Sequence, residues 1–129
     1  MSKLMQTAKQ AVSSIMAEGA DQAAVALGRS RGVDIEWRDG QLERVQEQTR
    51  QSLSVEVFVD GRYSASSTSD LRPEALETFL SNAVAMTRLL EADPHRGLPE
   101  AHRYGERAEV ELDLYDAAQL TVTSDERKE

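Results

Sequence analysis

The sequence predicts an α+β fold, an antiparallel β-sheet of four to five strands with two long helices packed on one face. Three observations carry that expectation. Apolar residues recur with helical spacing in two stretches, Leu4 to Ile15 and Leu76 to Leu90, which bracket a strand-rich region from about Ala23 to Thr68. Two Asp-Gly pairs, Asp39-Gly40 and Asp60-Gly61, stand where alternating runs must reverse direction. Each helix carries one apolar stripe and so needs a matching face, which the run from Leu53 to Val59 offers.

The first helix places Leu4, Ala8, Ala11 and Ile15 on one side, flanked by Met5, Val12 and Met16. Ser2 can cap its start, and Gly19 can end it in the left-handed conformation. In the sheet region Val33, Ile35 and Trp37 alternate with Asp34, Glu36 and Arg38, as in a strand with one wet face. Gln41 to Arg50 breaks the period of two, because Leu42 and Val45 are spaced for a helical turn; the preceding Asp-Gly turn nevertheless asks for a partner strand, here with a bulge. Leu53, Val55, Val57 and Val59 form the next strand, and the hydroxyl-rich run Arg62 to Thr68 returns. That return strand lies either at the sheet edge, with its backbone open to another strand, or in the centre, where small side chains allow close packing. Pro73 suits the first turn of the second helix, whose stripe runs through Leu76, Phe79, Leu80, Ala83, Met86, Thr87 and Leu90. It stops before Asp93-Pro94. His95 to Arg107, with Gly97, Pro99 and Gly105, is expected as a loop, and Thr123 to Glu126 has the form of a capping box for a further helix.

Composition narrows the function. Fifteen Lys plus Arg against 23 Asp plus Glu give a net charge of −8 over 129 residues, which disfavours nucleic acid and anionic membrane surfaces as partners. The chain has no cysteine, so disulfides, thiolate zinc sites and a cysteine nucleophile are excluded. Polar residues fill the place of a secretory h-region, and the longest purely apolar run, Ala23 to Leu27, is too short to span a bilayer; the expected setting is cytoplasmic.

No catalytic constellation emerges, and no catalytic, cofactor-binding or metal-binding residue is assigned. His95 and His102 stand near Asp93 and Glu100, but a hydrolytic zinc site wants three or four ligands on rigid elements. The run Ser64 to Asp70 lacks the GxSxG elbow of an activated serine. Gly28, Gly32, Gly40 and Gly61 form no phosphate-binding fingerprint, and pairs such as Glu43 and Glu47, or Glu109 and Glu111, read as solvated surface.

An ordered set of motifs does stand out. Arg38 to Val45 resembles the R-x-G-x-[VL]-E-x-V run of TldD/PmbA N-terminal domains, and Val55 to Arg62 is similar to that family's central strand and turn. Ser64 to Leu71 resembles the GSASSTDLS signature of the PmbA branch, with Tyr63 in place of a glycine, an added Ser69, and Arg72 in place of the serine before Pro73. Asp93-Pro94 with Gly97-Leu98-Pro99 resembles a DPxxGLP loop, and Leu112 to Asp116 an LDLYDP stretch.

The resemblance, to the family also called modulators of DNA gyrase, implies a PmbA-like N-terminal domain over 1–112, with 113–129 the start of a linker and of a truncated next helix. It implies longer full-length relatives that assemble from two homologous subunits, as a homo- or hetero-dimer, into a zinc metallopeptidase acting on flexible peptides. Zinc is then expected in a TldD-like partner with an HExxxH motif, with none in this chain. The domain's part becomes assembly and peptide positioning without catalysis. The alternative is a stand-alone acidic adaptor domain that binds another protein.

Overall fold

A computed structural model describes residues 2–104 and 109–128. Its elements run α1 (Lys3–Ala17), β1 (Gln22–Arg38), β2 (Gln41–Val59), β3 (Arg62–Thr68) and α2 (Pro73–Thr87), followed by short 3-10 turns. The chain divides into two compact units, Met1–Ser30 with Arg50–Glu100, and Arg31–Thr49 with Ala101–Glu129.

The expected four to five strands are three among the described residues, in the order β1-β2-β3. The difference lies in β2. Gln41 to Arg50 and Leu53 to Val59 belong to one strand of 19 residues, because the polar link Gln51-Ser52 contains no glycine or proline to break extended backbone. Gln41 to Arg50 is extended, as the Asp-Gly turn before it requires, although Leu42 and Val45 are spaced for a helical turn.

In the first unit β2 pairs antiparallel with β3, from Leu53 opposite Thr68 to Val59 opposite Arg62. The alternating Leu53, Val55, Val57 and Val59 are all buried and join Ala11, Ile15, Leu80, Ala83 and Val84 of the helices in one core, with Ala23, Val25 and Leu27 of β1 packed against it. α2 packs on β3 and α1 on α2.

The Ser2 hydroxyl caps α1 by accepting from the Met5 amide at 3.2 Å, and Gly19 leaves the helix at φ +97°. α2 ends at Thr87 rather than Leu90: the amides of Leu89 and Leu90 reach back only three residues, to Met86 and Thr87, which tightens the last turn and leaves Leu89 exposed.

The second unit contains the Asp39-Gly40 end of the β1–β2 hairpin. Asp39 (φ +51°) and Gly40 (φ +75°) form the two-residue turn that the sequence predicts. Arg31 pairs with Glu47 and donates to the Leu120 carbonyl at 3.2 Å. Thr123 and Glu126 form the reciprocal capping box, with Thr123 N donating to the carboxylate at 2.7 Å and Glu126 N to the hydroxyl at 3.3 Å. The turn it starts, Glu126–Lys128, is 3-10 over the described residues.

Candidate functional site

The first unit presents a shallow groove of about 500 Å³ on the sheet face opposite the core. Its lining follows from alternation: with Val25, Val55 and Ser66 turned toward the helices, Ala24, Ala26, Ser54, Glu56, Ala65 and Ser67 face outward. Nearly all of these side chains are small, so the floor is flat, neutral backbone and methyl surface. Glu56 is the one charged residue lining it.

Beside the groove runs β3, a strand at the end of the sheet order. Antiparallel pairs alternate between hydrogen-bonded and non-hydrogen-bonded, and a two-residue turn is closed by a hydrogen-bonded pair. With Val59 opposite Arg62, the residues Arg62, Ser64, Ser66 and Thr68 bond to β2, while the amide and carbonyl groups of Tyr63, Ala65 and Ser67 point away from the sheet. Among the described residues those outward groups have no backbone partner. Ala65 and Ser67 are exposed.

Toward the Asp60-Gly61 turn the same sheet face carries two aromatic residues. The Phe58 and Tyr63 rings, opposite each other in the register, lie 4.9 Å apart, and the Arg96 guanidinium covers the Tyr63 ring at 4.0 Å from its centroid. The Tyr63 hydroxyl donates to Glu56 Oε1 at 2.7 Å.

That hydrogen bond to a carboxylate is the main reason the Tyr63 phenol is pushed above its ordinary value of 10.0, with desolvation and the Glu56 charge adding and Arg96 opposing. A raised folded value means that the neutral phenol is the form stabilised by folding. Its contribution is complete below pH 10 and is lost as pH rises through the folded value. Phenolate absorbance should therefore show one of the three tyrosines titrating late. Tyr63→Phe should remove that late component, and its persistence in the variant would rule out the assignment.

The loop after α2 is fixed to this end of the sheet. Asp93 N donates to the Gly61 carbonyl at 2.6 Å, Arg62 Nε donates to the Leu90 carbonyl at 2.9 Å, and Leu98 N donates to Gln22 Oε1 at 3.0 Å. The Asp93 carboxylate accepts from His95 N at 3.0 Å, so it shapes a turn. His95 belongs to the first unit and His102 to the second. Among the described residues no three His, Asp or Glu side chains gather into a group that could hold a metal ion. The described residues thus offer no ligand group that fits a zinc ion.

The serine run is structural in its contacts. The Thr87 hydroxyl gives its proton to the Ala83 carbonyl at 2.7 Å, so Ser64 is the donor in the 2.6 Å contact between Ser64 Oγ and Thr87 Oγ1. Thr68 Oγ1 accepts from Asp70 N at 3.1 Å. Asp70 in turn accepts from the backbone and guanidinium of Arg72, which holds its carboxyl at about 2, below the ordinary 3.8. The Ser64 bond ties β3 to the last turn of α2, and the bonds among Thr68, Asp70 and Arg72 organise the entry into that helix.

Glu56, Tyr63 and Arg96 are the residues that sequence reasoning missed. Glu56 carries no motif of its own within the run Leu53 to Val59, and Tyr63 stands only as a departure from a glycine. The available signal was the Asp60-Gly61 turn, which fixes Phe58 opposite Tyr63 and Glu56 opposite Ala65, and so sets Glu56 diagonal to the phenol.

Comparison with known proteins adds the following. Residues 23–87, half of the chain, match the family described as PmbA/TldA metallopeptidase domain 1. The metalloprotease PmbA of Escherichia coli O157:H7 is 26% identical over 119 residues, which make up 92% of this chain and 26% of that protein. The crystal structure of a Bacteroides thetaiotaomicron protein described as a modulator of DNA gyrase superposes with a TM-score of 0.87 at 33% identity, over 97% of this chain and 28% of that one. TldE from Thermococcus kodakarensis shares the fold at a TM-score of 0.65 and 18% identity, over 86% of this chain and 25% of that one. The chain therefore spans about a quarter of the length of these proteins.

Proposed function

Because the chain belongs to the TldD/PmbA metallopeptidase family, matching its first domain, we propose that it is a non-catalytic domain serving assembly with a homologous subunit and the positioning of an extended peptide for proteolysis. The observation that carries this reading is the open edge of β3 beside a flat groove. An unpaired edge offers main-chain donors and acceptors to any extended segment, and such pairing selects conformation without demanding a sequence. The peptidase chemistry, with its zinc, belongs in this reading to a TldD-like partner subunit. The acidic balance supports proteins rather than nucleic acid or membrane as partners, in a cytoplasmic setting. No helix among the described residues is long and apolar enough to cross a membrane.

Hydrogen exchange tests the reading directly. Adding an unstructured peptide or a homologous subunit should slow exchange at the amides of Tyr63, Ala65 and Ser67. The amides of Ser64, Ser66 and Thr68, already paired to β2, should change little. Unchanged rates at the three outward amides with both additions would overturn the assignment of this edge.

A further inference from the structure

A strand added to β3 would lie about 4.8 Å from it, and so roughly 10 Å from β2. Its residue opposite Ala65 would face Glu56 across Ala65, since Glu56 is the β2 partner of Ala65. Ala65 is a single methyl group, so nothing stands in that lane. Glu56 Oε1 accepts from Tyr63, and among the described residues no basic side chain forms an ion pair with this carboxylate. Arg96 is stacked on the Tyr63 ring instead. A carboxylate in a groove otherwise lined by uncharged residues attracts a cation and repels an anion.

We propose that this groove selects, among extended peptides paired to β3, those carrying a lysine or arginine whose stem crosses Ala65 and whose charge meets Glu56. The inference rests on the edge reading above and names the substrate class for it. The four-carbon stem of lysine lies along the Ala65 methyl as apolar surface, while its ammonium group reaches the carboxylate. Arginine reaches at least as far and can bond to the free side of Glu56 through two N–H groups. An acidic residue at the same position meets the Glu56 charge, so acidic segments are turned away.

The experiment uses the 129-residue chain and three unstructured peptides, alike except for a central lysine, norleucine or glutamate. Norleucine keeps the aliphatic stem and removes the charge. Affinity is measured by calorimetry, and the site of binding by exchange at the Ala65 amide. The lysine peptide should bind roughly three- to tenfold more tightly than the norleucine peptide, and the preference should shrink as salt is raised. Glu56→Gln, whose side-chain oxygen can still accept from Tyr63, should abolish the preference, so that the lysine and norleucine peptides bind alike. Equal binding of all three peptides with protection of Ala65 would overturn the charge selection and leave the edge reading standing. A lysine preference that survives Glu56→Gln would also overturn it, since another carboxylate would then be responsible. Absence of protection at Ala65 with every peptide would overturn both readings together.

Discussion

Replacing Leu53 by alanine is expected to lower the free energy of unfolding by about 2–5 kcal/mol. Leu53 is 0% exposed and lies on the core face of β2, opposite Thr68 of β3. It shares one core with Ile15 and Val84, which are also 0% exposed. Two terms add when its side chain is cut back. The apolar area that folding removed from water is lost, and the walls around the gap cannot close fully, because they are backbone of a paired sheet and of packed helices. Thr68 cannot fill the space, being too short and tied through its hydroxyl to the Asp70 amide. Ser52 is exposed, so Ser52→Ala should stay within about 0.5 kcal/mol of the parent. Denaturant unfolding followed by far-ultraviolet dichroism is the suitable measurement, since Trp37 lies in the other unit and its fluorescence reports there. A loss under about 1 kcal/mol would mean that the site collapses around the gap and that this cluster is not the rigid support of the sheet.

How much of this was legible in the sequence can be judged element by element. Both Asp-Gly turns were, because a two-residue reversal with positive φ at each position leaves few residue types to choose from. The ends of α1 were legible for the same kind of reason, with a serine hydroxyl at one end and a left-handed glycine at the other. The strand count was not. Thr49 to Ser52 carries no apolar signal, yet an extended backbone bonded to a neighbouring strand needs none, so two expected strands are one. The end of α2 was misplaced because Leu89 and Leu90 prolong the apolar pattern past the point where the helix tightens.

The edge position of β3 was left open by the sequence. Small hydroxyl residues suit both a free edge and a tight interior, and only the strand order separates the two. Glu56 had no signal of its own. Its place in the groove depends on three strands at once, on the alanines of β1 and β3 that leave it uncovered and on the tyrosine hydroxyl that donates to it.

Gly61→Val is expected to cost about 1–3 kcal/mol, from backbone strain rather than from crowding. Gly61 sits at φ +71°, and a Cβ there would meet Ala92 Cβ at 3.8 Å and Pro94 Cα at 4.0 Å, ordinary contact distances. The turn therefore has room for a side chain, and what valine lacks is the left-handed conformation, which its branched Cβ disfavours strongly. Asp60 before it already holds φ +48°, so the turn cannot pass the strain to its neighbour. Nor can the turn relax freely into another type. The Gly61 carbonyl accepts from Asp93 N at 2.6 Å, and Asp60 N donates to Asp21 Oδ2 at 2.7 Å, so both peptide groups are tied to other segments. Gly61→Asn separates the two causes: asparagine has a side chain of similar bulk but visits the left-handed region readily, so its cost should be far smaller. Gly28 is a second control, because its φ is unstrained and a Cβ added there would meet nothing within 4 Å; alanine should be tolerated or mildly stabilising. The effect should extend to the edge that β3 presents, because this turn sets Val59 opposite Arg62 and thereby decides which amides face outward. In Gly61→Val the contrast in exchange between Ala65 and Ser66 should weaken along with stability. Equal losses for valine and asparagine would show that crowding, and not the left-handed backbone, governs this position.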